Sequence, residues 1–363
     1  MPELTVVMSV FNGESYLVAA RDSLMAQSMR DFEVIIVNDG STDRSAEILK
    51  EYAGRSRHMQ VLHQGNTGAA LAVNRACDLV KTPYIARMDA DDISLPDRLA
   101  RQLGFLRHRP QVALLGGGAE FINESGEAMF RVDVPTRDDE IKAALLERNV
   151  FVHSSVVMRR DALLAVGGYR RAFTLAEDYD LWLRIAEQYE LANLAEVLVR
   201  YRVHRRQVST TKLREQTRAA IGARLSARLR RSGQDDPFGA MGSVSDDTLN
   251  RLGVGMSEIE HEVAKVAGSW ARVMGEAGDH DTAAMLARQA WQDGRGRVVT
   301  RHEVGRYYLA AARASLARGH VAHGISAALR ALRWQPALLG RMLRGGLRPI
   351  TRWLRGEGPQ PEK

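Results

Sequence analysis

Cysteine is all but missing from this chain. Among 363 residues there is one, Cys77, which excludes an internal disulfide framework and fits a reducing compartment. Uninterrupted apolar runs are short as well. None reaches the roughly 18 residues that a membrane-spanning helix needs, and the opening MPELTVVMSVF carries an acid, Glu3, where a secretory signal carries basic residues. The expected location is the cytoplasm. Acids are scarce in one region: Arg200 to Arg231 holds eleven Arg or Lys against the single Glu215. That region contributes to a net charge of +7, which calls for an anionic partner: a phosphorylated substrate, an acidic lipid or nucleic acid. The rest of the composition, 45% hydrophobic and 26% charged, is that of a folded protein. The length suits two domains.

The first half alternates strand-like and helix-like segments, the pattern of βαβ units around a mostly parallel sheet. LTVVMSVF (4–11), EVIIV (33–37), MQVLH (59–63) and PYIARM (83–88) read as strands. Leu17, Ala20 and Leu24 then fall at helical spacing, as do Ile48, Leu49 and Tyr52. Behind the fourth strand, Ser94 and Asp97 have capping-box spacing, and Leu95, Leu99, Leu103 and Leu106 trace one helical face. Polar turns around Asn12, Asp39, Asn66 and Asp89 should all reach the C-terminal edge of the sheet, where open α/β folds bind ligands.

From about Thr211 the texture is Ala, Arg and Leu, so the remainder is expected to be helical. The expected division is a first domain over 1–210 and a basic helical region over 211–356, with a disordered tail at 357–363. GQDDPFGAMGSVSDDT (233–248) is the linker candidate. Two similar stretches within 258–335, with Gly278 and Gly319 equivalent, suggest helical-hairpin repeats, the alternative being an unspecialised helical appendage.

The turn after the fourth strand crowds three carboxylates, Asp89, Asp91 and Asp92, into four positions. Such crowding asks for a cation, wide solvent exposure or a helix start. Asp89-Ala90-Asp91 can hold a divalent cation while leaving coordination sites open to phosphate oxygens; a solvated loop is the alternative reading. Asp92 is expected to favour the following helix N-terminus.

In chain order, MSVFNGE, VIIVNDGSTD, GNTGAALAVNRA, YIARMDADDISLP, HSSVVMRRDALLAVGGY, EDYDLWLR and YRVHRRQVS resemble glycosyltransferase family 2, the inverting nucleotide-sugar transferases of the GT-A fold, over residues 4–209. The resemblance implies a GT-A domain, a Rossmann-like, mostly parallel sheet with flanking helices. It also implies a nucleotide-sugar donor, a UDP-sugar, and a Mn2+ or Mg2+ ion on Asp91 and Asp89, with His204 reaching the metal or diphosphate. Phe11, Asn12, Glu14, Asp39, Asn66, Asp89, Ala90, Gly168 and Arg205 are the expected donor contacts, Asp39 accepting from the base and Phe11 lying against it. A tight turn is the alternative for Asp39-Gly40, and a helix C-cap for Gly167-Gly168-Tyr169.

The general base that inverting transfer needs falls on Asp178 of the Glu-Asp pair, with burial raising the pKa near Glu177; helix N-terminal acids are the alternative. Asp180 and Trp182 are expected to anchor structure. His153 matches a recurring family position, with no role assigned to it. Many family members carry an arginine where this chain has Val73, so Arg75 or Arg87 would have to substitute.

The segment 336–356 interleaves five arginines with apolar residues, which makes an anionic membrane surface a candidate partner beside a saccharide or lipid-linked acceptor. A solvated basic face is the alternative. No nucleic-acid module is recognisable, so nucleic acid is not expected as a partner. Competing functions are a sugar-phosphate nucleotidyltransferase, which carries a glycine-rich, arginine-containing first loop unlike SVFNGES, and a nucleotide-binding scaffold without turnover.

Overall fold

Strand period and helix period build the first half of the chain as the apolar pattern requires. A computed structural model describes residues 2–53, 59–293 and 300–337. The tail 357–363 and most of the basic segment 336–356 lie outside them. The elements of the first half are β1 (Leu4–Val10), α1 (Leu17–Met25), β2 (Glu33–Asp39), α2 (Ser45–Ala53), β3 (Met59–Gln64), α3 (Ala69–Leu79), β4 (Tyr84–Arg87), β5 (Ile93–Ser94), α4 (Arg98–His108), β6 (Val112–Ile122), β7 (Ala128–Val132), α5 (Asp138–Leu145), β8 (Val157–Arg159), α6 (Arg160–Ala165), α7 (Glu177–Ala186) and β9 (Glu190–Arg202). They are followed by α8 (Val208–Thr211), α9 (Leu213–Arg231), α10 (Asp246–Arg251), α11 (Met256–Glu276), α12 (His280–Asp293), α13 (Arg301–Ala317) and α14 (Val321–Trp334).

One nine-stranded sheet runs in the order β3-β2-β1-β4-β8-β6-β9-β5, with β7 beside β6. β1 to β4, β6 and β9 share a direction, and β5, β7 and β8 oppose it. Because side chains alternate along a strand, the apolar run of β1 serves two cores. Val6, Met8 and Val10 pack with Leu17, Leu24, Leu49 and Leu99 on one face, while Val7 packs with Val73, Ala76, Leu163 and Trp182 on the other. β2 divides likewise, Val34 and Ile36 against Ile35 and Val37. Each such side chain, fully buried, stabilises the fold by about 1.5–3 kcal/mol.

The expected capping box does not form. Ile93 and Ser94 pair with β9, the Ser94 hydroxyl accepts from Gln27 while its N–H donates to Ser23, and α4 begins only at Arg98. Strand pairing outcompetes the local cap. The apolar face is as expected, with Leu99, Leu103 and Leu106 buried.

The chain divides into two compact units, 1–202 with 218–252, and 203–217 with 253–363. Within the first unit, the segment read as a linker is folded down. Phe238 is fully buried against Phe173 at 5.3 Å, and Asp236 pairs with Arg170 and Arg230 at 2.8 and 2.7 Å. Those arginines hold its carboxyl down at about 2 against the opposing effect of burial.

In the second unit α11 packs on α12, α12 on α13 and α13 on α14. Gly278 and Gly319 close α11 and α13 with the same cap, in which the residue after each glycine donates to Met274 and Ser315 respectively. Among the described residues no helix is long and apolar enough to cross a membrane.

Candidate active site

Four turns of the first unit come together at the C-terminal edge of the sheet because β1 to β4 lie side by side and point one way. The first two are knotted to each other. Asn12, at φ +53°, accepts from Thr42 N–H at 2.8 Å, Gly13 N–H donates to Ser45 at 2.9 Å, and Glu14 accepts from Arg44 N–H at 3.0 Å. Phe11 stays 52% exposed beside them, a bare ring at the edge.

Asp39 ties the second turn to the third. Its Oδ1 accepts from Gln64, Thr67 N–H and Thr67 Oγ1, and its Oδ2 accepts from Gly68 N–H at 2.9 Å. Burial opposes the charge, but these donors outweigh it and hold the carboxyl below its usual range. With about two acceptor positions per carboxylate oxygen, Oδ2 retains room for one more donor. Gly40 is obligatory next to it: φ is +75°, and a Cβ would lie 2.6 Å from Asn66 N. Asn66 itself is exposed.

The fourth turn is held from several sides. Asp89 Oδ1 accepts from the buried Arg87 at 2.6 Å, while its Oδ2 accepts from Ser154 at 3.1 Å and lies 3.6 Å from His153 Nδ1. Burial works against the Asp89 charge, yet Arg87, His153 and Ser154 keep its carboxyl below the usual range. Ala90 packs toward Gly13. Arg202 donates to Asp91 O at 3.0 Å, and its own N–H donates to Asp92 Oδ1 at 2.8 Å.

Asp92 is thereby corrected. It is 1% exposed and precedes a strand rather than a helix, and its Oδ2 has no hydrogen-bond partner. Burial, then Asp91 and Asp89, push its pKa well above normal. Arg98, absent from the sequence reading, is fully buried nearby and lowered to about 9 by burial, with Asp92 opposing.

Asp178 sits at the start of α7, its Oδ2 accepting from Asn149 at 2.9 Å. The preceding Leu175 is a non-glycine residue at φ +79°, a strained conformation of the kind found at functional sites. Glu177, 9% exposed, leaves Oε2 without a partner, and burial, then Asp178, push its pKa up to about 7. Asp180 is an anchor, fully buried between Arg170 and Arg184. Arg184 also donates to Gly168 O at 2.7 Å and to Val166 O, and Asn74 clamps Tyr169 from α3 at 2.7 and 2.9 Å. Gly167 and Gly168, at φ +80° and +70°, donate to Leu164 O and Leu163 O, so the C-cap alternative is present in the structure.

His153 stands beside the fourth turn. Its Nδ1 faces Asp89, its Nε2 is 3.2 Å from the Tyr169 hydroxyl, and its ring meets Trp182 edge-on at 5.9 Å. Burial, then Arg87, lower its pKa, while Asp89 and Asp178 pull the other way. Tyr201 is raised by burial, then by Asp92, Asp91, Asp89 and Asp178.

His204 and Arg205 belong to the second unit, where His204 N–H donates to Gln207 at 3.2 Å and Arg205 lies 3.9 Å from Asp279. Among the described residues no three His, Cys, Asp or Glu side chains form a metal-holding group, so Asp89, Asp91 and His204 are not a preformed trio. Arg87 is committed to Asp89, and Arg75 to His63 O and Gln64. Val73 is core. Ser154, Asn149, Arg98 and Arg202 were not legible as site residues. Only the segments HSSVV and YRVH, singled out as motifs, pointed toward two of them.

Acidic and glycine-bearing turns gathered at the C-terminal edge of a largely parallel sheet define an α/β protein with a crevice where open α/β sheets bind ligands. The family model described as "Glycosyl transferase family 2" matches residues 5–167. The O-antigen biosynthesis glycosyltransferase WbnJ of Escherichia coli is 33% identical over 214 residues, 58% of this chain and 83% of the relative. The amylovoran biosynthesis glycosyltransferase AmsE of Erwinia amylovora is 30% identical over 202 residues, 54% of this chain and 75% of the relative.

The chain belongs to glycosyltransferase family 2. Its fold is shared with S. aureus TarS 1-349 in complex with UDP-GlcNAc, at TM-score 0.50 and 15% identity over 88% of this chain and 92% of that one. It is shared equally with the mannosyltransferase PcManGT from Pyrobaculum calidifontis in complex with GDP-Man and Mn2+, at TM-score 0.50 and 18% identity over 91% and 87%.

Proposed function

We propose that the chain transfers a sugar, with inversion, from a nucleoside diphosphate sugar, a UDP-sugar, to a hydroxyl of a saccharide or lipid-linked saccharide during assembly of a cell-surface polysaccharide. One observation carries the reading. His153 lies 3.6 Å from Asp89 and meets the ring of Trp182, on the helix that opens at Glu177 and Asp178, which supports a reading in which the carboxylate turn and the proton acceptor serve one centre. The relatives named for O-antigen and amylovoran biosynthesis support the polysaccharide setting.

Asp178 accepts the acceptor proton as that oxygen attacks the anomeric carbon. Asn149 fixes the orientation of its carboxylate. Glu177, neutral below about pH 7, keeps a second negative charge away from Asp178 until the pH rises. Phe11 offers its exposed ring to the base, and Asp39 Oδ2 its remaining acceptor position. Asn12, Glu14 and Asn66 shape the turns around the diphosphate, and Gly168 shapes the sugar pocket.

A divalent cation fits the residues present. Asp92 Oδ2 is buried without a partner, and Asp91 and Asp89 crowd it with like charge. One or two carboxylates with diphosphate oxygens and water suffice for Mg2+, so a protein trio is not required. Asp91, with Asp89, would hold the ion, which when bound neutralises charge on the departing diphosphate.

The test is release of UDP from UDP-sugars with MnCl2 present. Asp178→Asn should lower turnover by about 10²-fold or more with UDP affinity nearly unchanged, and Asp91→Ala should weaken Mn2+-dependent UDP binding. Normal turnover by Asp178→Asn removes the base assignment. Pyrophosphate formation from a nucleoside triphosphate would make the protein a nucleotidyltransferase.

A further inference from the structure

The basic stretch that runs to Arg231 ends in α9, where its arginines divide into two kinds. Arg218 pairs with Asp246 at 3.4 Å, and Arg230 pairs with Glu187 and Asp236, each at 2.7 Å. Arg228 and Arg231 are exposed and have no ion-pair partner among the described residues. Arg224, Ala227, Arg228 and Arg231 follow one another at helical spacing, so they share one face of α9.

That face borders a cavity of about 370 Å³, a volume within the range of ligand sites. Ala227 and Arg231 stand on its α9 side, with Leu145 and Leu146 opposite and Leu183 and Ala186 of α7 between them. Its other charged side chains are already compensated, Lys142 by Asp138 at 2.9 Å and Glu187 by Arg230. The uncompensated charge at the wall is therefore that of Arg231, with Arg228 one turn back along the same face.

Direct contacts join this place to Asp178. The hydroxyl of Tyr179, the next residue in the chain, donates to Leu145 O at 2.6 Å. Beyond Leu146, Glu147 O accepts from Arg224, and Asn149 donates to Asp178 Oδ2 at 2.9 Å. Leu183 and Ala186 lie roughly 8 and 12 Å from Asp178 along the axis of α7, at about 1.5 Å per residue, the length of a short saccharide. A proton acceptor, a cationic face and an apolar cavity thus follow one another in that order.

We infer that this surface selects a lipid-linked acceptor: its phosphate lies on Arg228 and Arg231, the first part of its hydrocarbon enters the cavity, and its sugar reaches Asp178. This rests on the transfer reading. A phosphate has several acceptor oxygens, which guanidinium forks meet in pairs, and a hydrocarbon gains by leaving water for the apolar wall. A neutral saccharide would use neither feature, and a free phosphate would leave the cavity empty.

The experiment is calorimetry on the full chain in the presence of UDP and MnCl2, with decyl phosphate, butyl phosphate, inorganic phosphate and decyl glucoside as probes, each kept below micelle formation. Decyl phosphate should bind at least about tenfold more tightly than each of the other three. Arg228→Gln combined with Arg231→Gln should weaken its binding by about tenfold or more, with the urea midpoint unchanged because both side chains are exposed and unpaired. Equal binding by the parent and the double variant overturns the site, as does a parent that does not bind decyl phosphate. Inorganic phosphate binding as tightly as decyl phosphate reduces the site to a phosphate patch, and decyl glucoside doing so reduces it to an apolar one; either result overturns the lipid-linked acceptor. UDP binding is measured in the same preparation: its absence sinks the transfer reading, whereas UDP binding without decyl phosphate binding sinks the acceptor site alone.

Discussion

Glu177 gives the sharpest quantitative test, because its carboxyl is buried in the fold with one oxygen lacking a partner. Burial and the Asp178 charge move its pKa from 4.5 to about 7. The folded state therefore keeps a proton that the unfolded chain has released between those two values, so stability falls as pH rises through that window and levels off above it. At about 1.4 kcal/mol per pH unit, ionising Glu177 in place costs about 3 kcal/mol.

Glu177→Gln removes the titration while keeping the shape of a neutral carboxyl. Urea denaturation of parent and variant at pH 5, 6, 7 and 8 should show the variant gaining on the parent by about 2.5 kcal/mol across the series, the first part of the loss having occurred below pH 5. Adding Asp178→Asn, which deletes the neighbouring charge, should narrow the window from its upper end. A difference between parent and Glu177→Gln that is the same at pH 5 and pH 8 would refute the reasoning.

Other perturbations probe the scaffold. Arg184→Met removes a guanidinium that pairs with the fully buried Asp180 and holds Gly168 O at 2.7 Å; with Arg170 as the remaining partner, urea unfolding should show a loss of about 3 kcal/mol. Gly40→Ala places a Cβ 2.6 Å from Asn66 N at φ +75°; it should destabilise by about 1–3 kcal/mol and weaken UDP binding by calorimetry, through displacement of the turn that Asp39 holds.

Legibility along the chain followed the range of the physics involved. Leu17, Ala20 and Leu24 are fully buried as their spacing predicts, and the four parallel strands carry the acidic and glycine-bearing turns to one edge. Asp180 is the ion-paired anchor its helical position suggested. Asp39 was readable only as a turn residue or a base contact, because its donors Gln64, Thr67 and Gly68 arrive from another strand and loop. Asp92 read as a helix-start acid for the same cause: its partner, the Arg202 N–H, comes from the last strand of the sheet.

By itself the sequence determined the local periods, the turns, the order of the motifs and hence the family, since each of these depends on residues within a few positions of one another. The tertiary structure decided which distant groups meet. It set Ser154 and His153 against Asp89, and Asn149 against Asp178. Those encounters depend on strand order and register, which come from packing a whole sheet between two cores and are written in no single stretch of the chain.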